Sequence, residues 1–431
     1  MQSSSFIIKD VLLFDGDIFT ENAMVVVEDG LISQVVPHGN IEGKFASLSI
    51  IAKPGYTLIP GLIDSHIHGL EANIECLEQS LRFGVTTVCD MHNDPVSLAK
   101  LKSLAHDRNM RHLYSDFKCA GMAASVTGQW PVPILELEYK DDAELLRKIV
   151  DKLPHIDTVG QAQEHVNAQI DHFGASYIKL MNEMGDTIDM SLPRPPLELQ
   201  QAIVEAAHKR GVIAVGHAFS YSGVMELLEA GVDGLTHSFL DRPESDDWLK
   251  LMKKNNVHCN PTLDCLATHC GNGDEIQVPF TSHPFAQRML FDKRPRECTN
   301  FAKNNEKASF ANGVQNVKDM YAAGVPLIVG SDCAGKRLGN PYGLGVHEEM
   351  YLMTIVVGMK PIDVLKGATS LIADRFGFSD RGRVKEGLKA DLVLLEGDVR
   401  ELLANEKELC LPVQAVWRDG VLCSSFEDGL T

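Results

Sequence analysis

Basic residues are in short supply: 40 Lys and Arg face 59 Asp and Glu, for a formal charge of -19. A surface of that sign repels a polyanion, which argues against nucleic acid as a partner, although a local site can still be positive. Long apolar runs are missing too. None approaches the roughly 20 residues that cross a bilayer, so no membrane partner is expected. The first residues, Met1-Gln2-Ser3-Ser4-Ser5-Phe6-Ile7-Ile8-Lys9-Asp10, lack the basic start and the apolar stretch of a secretory signal. The ten cysteines, Cys76, Cys89, Cys119, Cys259 and Cys333 among them, lack the paired spacing of a disulfide framework or a zinc finger. These absences together predict a cytoplasmic protein with reduced thiols. There is no heptad, solenoid period or low-complexity tract, and no Gly-rich phosphate fingerprint follows an early strand, which argues against a nicotinamide or flavin enzyme.

What is present suits a folded enzyme. With 44% hydrophobic and 23% charged residues, wholesale disorder is excluded, and 431 residues suit a large barrel with a smaller companion. The first 55 or so residues read as strands, with Met24-Val25-Val26-Val27 and Leu31 to Val36 joined through the tight-turn pair Asp29-Gly30. The last 50 or so repeat the style, Asp419-Gly420 turning Val413 to Trp417 into Val421-Leu422-Cys423. One small sheet domain built from both termini (residues 1–59 and 376–431) is the expectation.

Residues 60–375 alternate short apolar strands with amphipathic helices, the pattern of a parallel α/β architecture. Leu199, Ile203 and Ala206 fall at helical spacing and Gly211 stops that helix before Val212 to His217; Val224, Leu227 and Leu228 line another, stopped by Gly231 before Gly234 to His237. Val314, Val317 and Tyr321 line a third, stopped by Gly324 before Pro326 to Asp332. Each strand ends on a polar residue, which fits a (β/α)8 barrel, where chemistry gathers at the C-terminal strand ends. A doubly wound sheet would instead gather its ligands at one switch point. Residues 262–312, polar and rich in Gly and Pro, read as a long insertion after the seventh strand, either a lid or a plain surface excursion.

The candidate chemistry begins at Pro60-Gly61-Leu62-Ile63-Asp64-Ser65-His66-Ile67-His68. Strand alternation points His66 and His68 the same way, so that they can share a metal; an isolated His-x-His is otherwise an ordinary exposed or hydrogen-bonded pair. Alternation in Tyr177-Ile178-Lys179-Leu180 turns Lys179 inward, where a buried ammonium is costly and would ordinarily pair with a carboxylate. His217 and His237 each close a strand, and either alone would read as a structural histidine. Asp332 closes another, with helix capping as its plain alternative. His92, His112, His155, His172, His258, His269 and His283 follow no such pattern, and His347 lacks the second histidine of a zincin motif.

The order of these residues resembles the amidohydrolase superfamily over essentially the whole chain, and Ala175 to Met181 resembles its subgroup related to prolidases, Xaa-Arg and Xaa-Pro dipeptidases and ochratoxinase. The resemblance implies a (β/α)8 TIM-like barrel beside a small β-sandwich of both termini, and a homo-oligomer. It also implies two divalent metal ions, with His66, His68 and Asp332 on the buried one, His217 and His237 on the outer one, and a carbon dioxide-derived carbamate on Lys179 between them. Donors of this type favour zinc, with manganese or cobalt also suited. The implied reaction is hydrolysis of a C-N amide bond in a small molecule, of N-acyl amino acid, dipeptide or aryl amide type. A metal-bridging hydroxide would attack, with Asp332 as general base and then acid. The chain departs from the subgroup at Val126-Thr127-Gly128-Gln129-Trp130-Pro131, in place of a Gly-Gly-His element, and at Phe219, where Tyr or His is frequent; a dipeptide specificity is not securely inherited. Positions just past strand ends make Asn93, Gln129, Trp130, Asn182 and Tyr221 the candidate substrate contacts. The rival readings are a lactam or lactone hydrolase, a mononuclear deaminase or imidazolonepropionase-like ring opener, and a non-catalytic assembly protein.

Overall fold

Turn chemistry sets the frame at both ends of the chain. The computed structural model describes residues 4–37, 43–45, 47–188, 190–293, 302–335 and 340–429. Its first strands are β1 (Phe6–Phe14), β2 (Phe19–Glu28), β3 (Leu31–Pro37), β4 (Ser49–Ala52) and β5 (Tyr56–Pro60). The β2–β3 hairpin turns on Asp29 and Gly30, with φ of 50° and 82°, the pair of positive values a two-residue hairpin turn of this hand requires.

The middle of the chain supplies β6 (Leu62–Ile67), β7 (Val85–Asp90), β8 (Asp116–Cys119), β9 (Ile178–Met181), β10 (Ala214–His217), β11 (Gly234–Thr236) and β12 (His258–Asn260). These form two parallel sheets, β6-β7-β8 and β12-β11-β10-β9. Isolated parallel bridges extend them: Ala124 with Leu180, Cys259 with Leu327, and Ile67 with Cys333. The expected strand before Asp332 is thus reduced to bridges at Leu327 and Cys333. Its backbone still bonds both neighbours, the Ile328 N–H to the Cys259 carbonyl at 2.9 Å and the Asp332 N–H to that of His66 at 2.7 Å, but the Ser331 N–H is diverted to the Asp64 carboxylate at 3.0 Å, which interrupts the ladder.

The C-terminal strands are β13 (Leu392–Glu396), β14 (Val413–Arg418) and β15 (Val421–Leu422). They join the N-terminal ones in a single eight-stranded sheet, ordered β15-β14-β13-β5-β1-β2-β3 with β4 beside β1. Alternation gives this sheet two apolar faces, Phe6, Ile8, Val25 and Val27 with Trp417 on one and Ile7, Met24 and Val26 with Phe45 on the other. The Asp419-Gly420 turn, with φ of 47° and 71°, packs tip to tip on the first hairpin. A Cβ on Gly30 would lie 2.4 Å from the Asp419 carbonyl oxygen, so a side chain is excluded there.

Helices Leu197–Lys209, Tyr221–Ala230 and Phe310–Ala323 end where the expected glycines take positive φ. Within 262–312, of which 294–301 lie outside the described residues, the chain differs from a polar loop: helices Leu263–His269, Gly273–Ser282 and Pro284–Met289 fill much of its earlier part. Every residue of the first is buried, and Phe280, Phe285 and Ala286 join the main core. These apolar groups outweigh the Gly-Asn-Gly-Asp turn that makes the stretch look like solvent-exposed chain.

Candidate metal centre

Strand β6 carries two of the donors. His66 lies on it and His68 one residue beyond, and their Nε2 atoms face each other at 3.3 Å. Asp332 Oδ1 lies 3.2 Å from each of those nitrogens. Beneath them the buried Asp64 accepts from Ser331 Oγ at 2.6 Å and from the His66 N–H at 3.1 Å, tying β6 to the segment that bears Asp332. His68 Nδ1 donates to the His92 carbonyl at 3.2 Å, which orients the ring and leaves Nε2 as the atom turned toward Asp332 and toward a cation that would replace its proton.

A second group lies across Asp332. Asp332 Oδ2 accepts from the Cys265 thiol at 3.0 Å and stands 4.0 Å from His237 Nδ1. The His237 ring lies against His217, with centroids 4.6 Å apart. His217 Nε2 is 3.5 Å from Glu183 Oε2 and makes no hydrogen bond among the described residues. Glu183 is instead held by the Gly185 and Phe219 N–H groups at 2.7 and 3.0 Å. The Lys179 amine, 1% exposed, donates to Thr236 Oγ1. Among the described residues it forms no ion pair, which removes the ordinary carboxylate-paired role. His237, Thr262 and Asp332 have φ of 81°, 49° and 54°, left-handed conformations that cost energy in non-glycine residues and cluster at functional sites.

Burial governs the charges. It pushes His66 and His237 well below the ordinary imidazole value and lowers His217, so these rings are neutral and keep lone pairs. The Lys179 amine is likewise lowered, by burial, to about 7. Burial alone would raise Asp332, but His66, His68 and His237 hold it well below the carboxylate range. His68 moves upward: burial opposes its charge, and Asp332 and Asp90 overcome that. Facing imidazole nitrogens, an anionic carboxylate between them, and buried His66 Nδ1 and His217 Nε2 that make no hydrogen bond among the described residues form a donor set that fits divalent cations of the zinc type. Two three-donor groups stand out, His66 with His68 and Asp332, and His237 with Cys265 and Asp332, each with its atoms within 4.8 Å of one another.

All six metal-ligand candidates singled out in the sequence line one cavity of about 490 Å³. Of the candidate substrate contacts, Asn93 and Trp130 border it. Asn93 spends its amide on Asp90 and the Gly69 carbonyl, at 2.8 and 2.9 Å, so it serves the wall. Trp130 stacks over His217 at 5.8 Å and 21°. Gln129, Asn182 and Tyr221 do not border it: Gln129 donates to the Pro193 carbonyl at 3.1 Å and Asn182 to that of Gly223 at 3.0 Å, while Tyr221 packs on Phe239. A position just past a strand end does not say whether the next residue turns inward. Conversely, His92 and His269, which sequence pattern gives no reason to single out, border the cavity. His92 follows β7 by two residues, a usable signal; His269 and Cys265 arrive on a helix with no sequence signature.

The amidohydrolase family model matches residues 57–423; the chain belongs to that family, whose members are hydrolases that use divalent metal ions. It is an enzyme acting on C-N bonds. It is 22% identical to an imidazolonepropionase of Streptomyces griseus subsp. griseus over 93% of this chain and 92% of that one. Its fold is similar to a crystal structure of a Xaa-Pro dipeptidase with bound methionine (TM-score 0.73, 18% identity, 97% of this chain and 99% of that one). It is also similar to A. niger ochratoxinase (TM-score 0.71, 21% identity, 98% and 96% covered). These neighbours imply a TIM-like barrel for the α/β core. Among the described residues no helix is long and apolar enough to cross a membrane.

Proposed function

We propose that the chain is a binuclear metal-dependent amidohydrolase that cleaves the C-N bond of a small amide bearing a bulky apolar group. One observation carries the binuclear part: the two oxygens of Asp332 face two different donor groups on one cavity. His66, His68 and Asp332 would hold one ion, His217 and His237 the other, and Lys179, carboxylated, would join them. The carbamate forms when the neutral Nζ adds to carbon dioxide, making an N–C bond and releasing one proton. Two bound dications, zinc by preference, supply an activated water and polarise the amide carbonyl. Asp332 Oδ2, turned away from His66 and His68, would serve as the base that accepts a proton in the cavity and the acid that returns it to the leaving nitrogen.

The cavity wall supports the substrate class. Trp130, Pro131, Ile134, Leu135 and Phe219 form an apolar side, and Phe219, unlike a Tyr or His, offers no hydrogen bond to an oxyanion. Among the described lining residues, Lys152 at the rim is the only cation besides Lys179, which favours an aryl or acyl amide over a free dipeptide carboxylate. The bridges that extend the two parallel sheets support an eightfold barrel over 60–375, with 1–59 and 376–431 as the companion sandwich.

The full-length likeness to an imidazolonepropionase supports the alternative of a mononuclear ring opener. Metal content per chain, with native intact mass under carbon dioxide, separates the two on wild type and Lys179→Ala. Two metals and one added carbon dioxide in the wild type, both reduced in the variant, are expected. One metal unaffected by the substitution would overturn the binuclear reading and direct the search to ring-opening substrates.

A further inference from the structure

We infer that the Cys265 thiol is a sulfur donor to the outer metal pole, beside His237; the inference rests on the metal-dependent reading above. Cys265 lies on the buried helix Leu263–His269, which follows β12 directly. Its thiol is aimed differently from those of other cysteines in the core. Cys119, Cys259 and Cys333 direct theirs to backbone carbonyls, the usual outcome for a packed cysteine. Cys265 reaches a carboxylate oxygen of the candidate centre at 3.0 Å and completes a three-donor group with His237 and Asp332.

A second observation points to the same place. His217, 3% exposed and bordering the cavity beside His237, has an Nε2 without a hydrogen bond among the described residues. Its nearest carboxylate, Glu183 Oε2 at 3.5 Å, is spent on two backbone N–H groups; a buried imidazole nitrogen so poorly matched is costly, and a cation in the cavity would relieve it. Backbone strain fits as well: Thr262, one residue before the helix, and His237 and Asp332 all adopt left-handed φ, and Thr262 Oγ1 holds His237 Nδ1 at 2.7 Å.

The chemistry follows from the donor. A coordinating thiol would give up its proton to solvent, so the hydrogen bond from Cys265 to Asp332 Oδ2 would be lost; with Asp332 serving the His66–His68 ion through Oδ1, Oδ2 would be available for the proton transfer assigned to it. The added negative charge lowers the positive charge of the pole, which suits an uncharged amide over a carboxylate-bearing one. Sulfur also moves the metal preference toward zinc and cobalt and away from manganese.

The test uses cobalt(II) alone, added to the full-length protein after chelation, and reads the electronic spectrum alongside bound cobalt. A thiolate-to-cobalt charge-transfer band in the near ultraviolet is expected in the wild type, and its loss in Cys265→Ser with cobalt still bound. Cobalt bound without the band, or a band that survives in Cys265→Ser, would overturn the sulfur donor and leave the metal-dependent reading standing. Failure to bind cobalt or zinc at all would overturn both. Should Cys265→Ser fold poorly, zinc-edge X-ray absorption on the wild type needs no variant. It should show a sulfur neighbour at about 2.3 Å besides the nitrogen and oxygen shell at about 2.0–2.2 Å; a shell of nitrogen and oxygen alone sinks the inference.

Discussion

Among single residues, Glu349 shows most directly how burial sets a protonation state. It lies in the interior at 0% exposure, and burial pushes its carboxyl up to about 8, against the opposing hydrogen bond from the Asp264 N–H at 3.1 Å. For a carboxyl raised in this way, the folded protein holds a proton that the unfolded chain releases above its ordinary value of 4.5. Stability is therefore lost as pH climbs from there to about 8 and levels off beyond. Glu349→Gln imitates the protonated form. The thermal midpoint of the variant should match the wild type near pH 5 and exceed it by several degrees near pH 9; an equal gap at both pH values would contradict the assignment. Glu349 was not legible in the sequence, since its environment comes from Asp264, some 85 positions away. His66, His68, Lys179, His217, His237 and Asp332 were, because strand alternation and a strand end together state where such a side chain goes. Cys265 gives no such sign, as an apolar helical turn hides a donor as easily as a packing residue.

At the scale of elements, hairpins and helix stops followed from local chemistry: Asp-Gly pairs turned and glycines ended helices at the expected places. The helices over 263–289 were obscured because Gly, Asn and Pro punctuate stretches whose apolar residues are buried only by long-range packing. The same limit applies to the wall after β8, where Trp130 reaches the cavity but its neighbour Gln129 does not. Trp130 belongs to an aromatic group with Phe219 and His217, at ring distances of 6.1 and 5.8 Å, that would hold the apolar part of a substrate. Removing a stacked aromatic costs about 0.5–1.5 kcal/mol beyond its buried area. Trp130→Ala should therefore raise KM for an aryl amide about tenfold, with a smaller change in kcat and unchanged metal content. Steady-state kinetics on an aryl and a small alkyl amide check this; an equal loss on both would place Trp130 outside substrate recognition.

Over the whole molecule, the composite sheet and the parallel strands meet through a buried ion cluster. Asp116 on β8 pairs with Arg381 at 2.6 Å and with Arg418 of β14 at 3.3 Å. Arg381 also donates to Thr87 of β7 at 2.7 Å, and Arg418 to the Tyr114 and Ala105 carbonyls, both at 2.7 Å. Burial alone would raise the Asp116 carboxyl, but His106, Arg381, Lys118 and Arg418 hold it well below the carboxylate range. The sign is opposite to that of Glu349: the stabilisation is complete above the ordinary value of 3.8 and is lost as pH falls toward the lower folded-state value. Asp116→Asn leaves the buried Arg418 guanidinium without its anion, while Arg381 keeps Asp380 at 2.8 Å; a broken buried pair of this kind costs about 3–5 kcal/mol. The variant should unfold at clearly lower urea concentration at pH 7, and the difference from wild type should shrink as pH falls below 4. If the cluster also transmits cooperativity, Trp417 in the sheet and Trp130 at the cavity report one transition in the wild type and two in the variant. An unchanged urea midpoint would mean that apolar packing alone joins the two parts, and that the arginines only line their boundary.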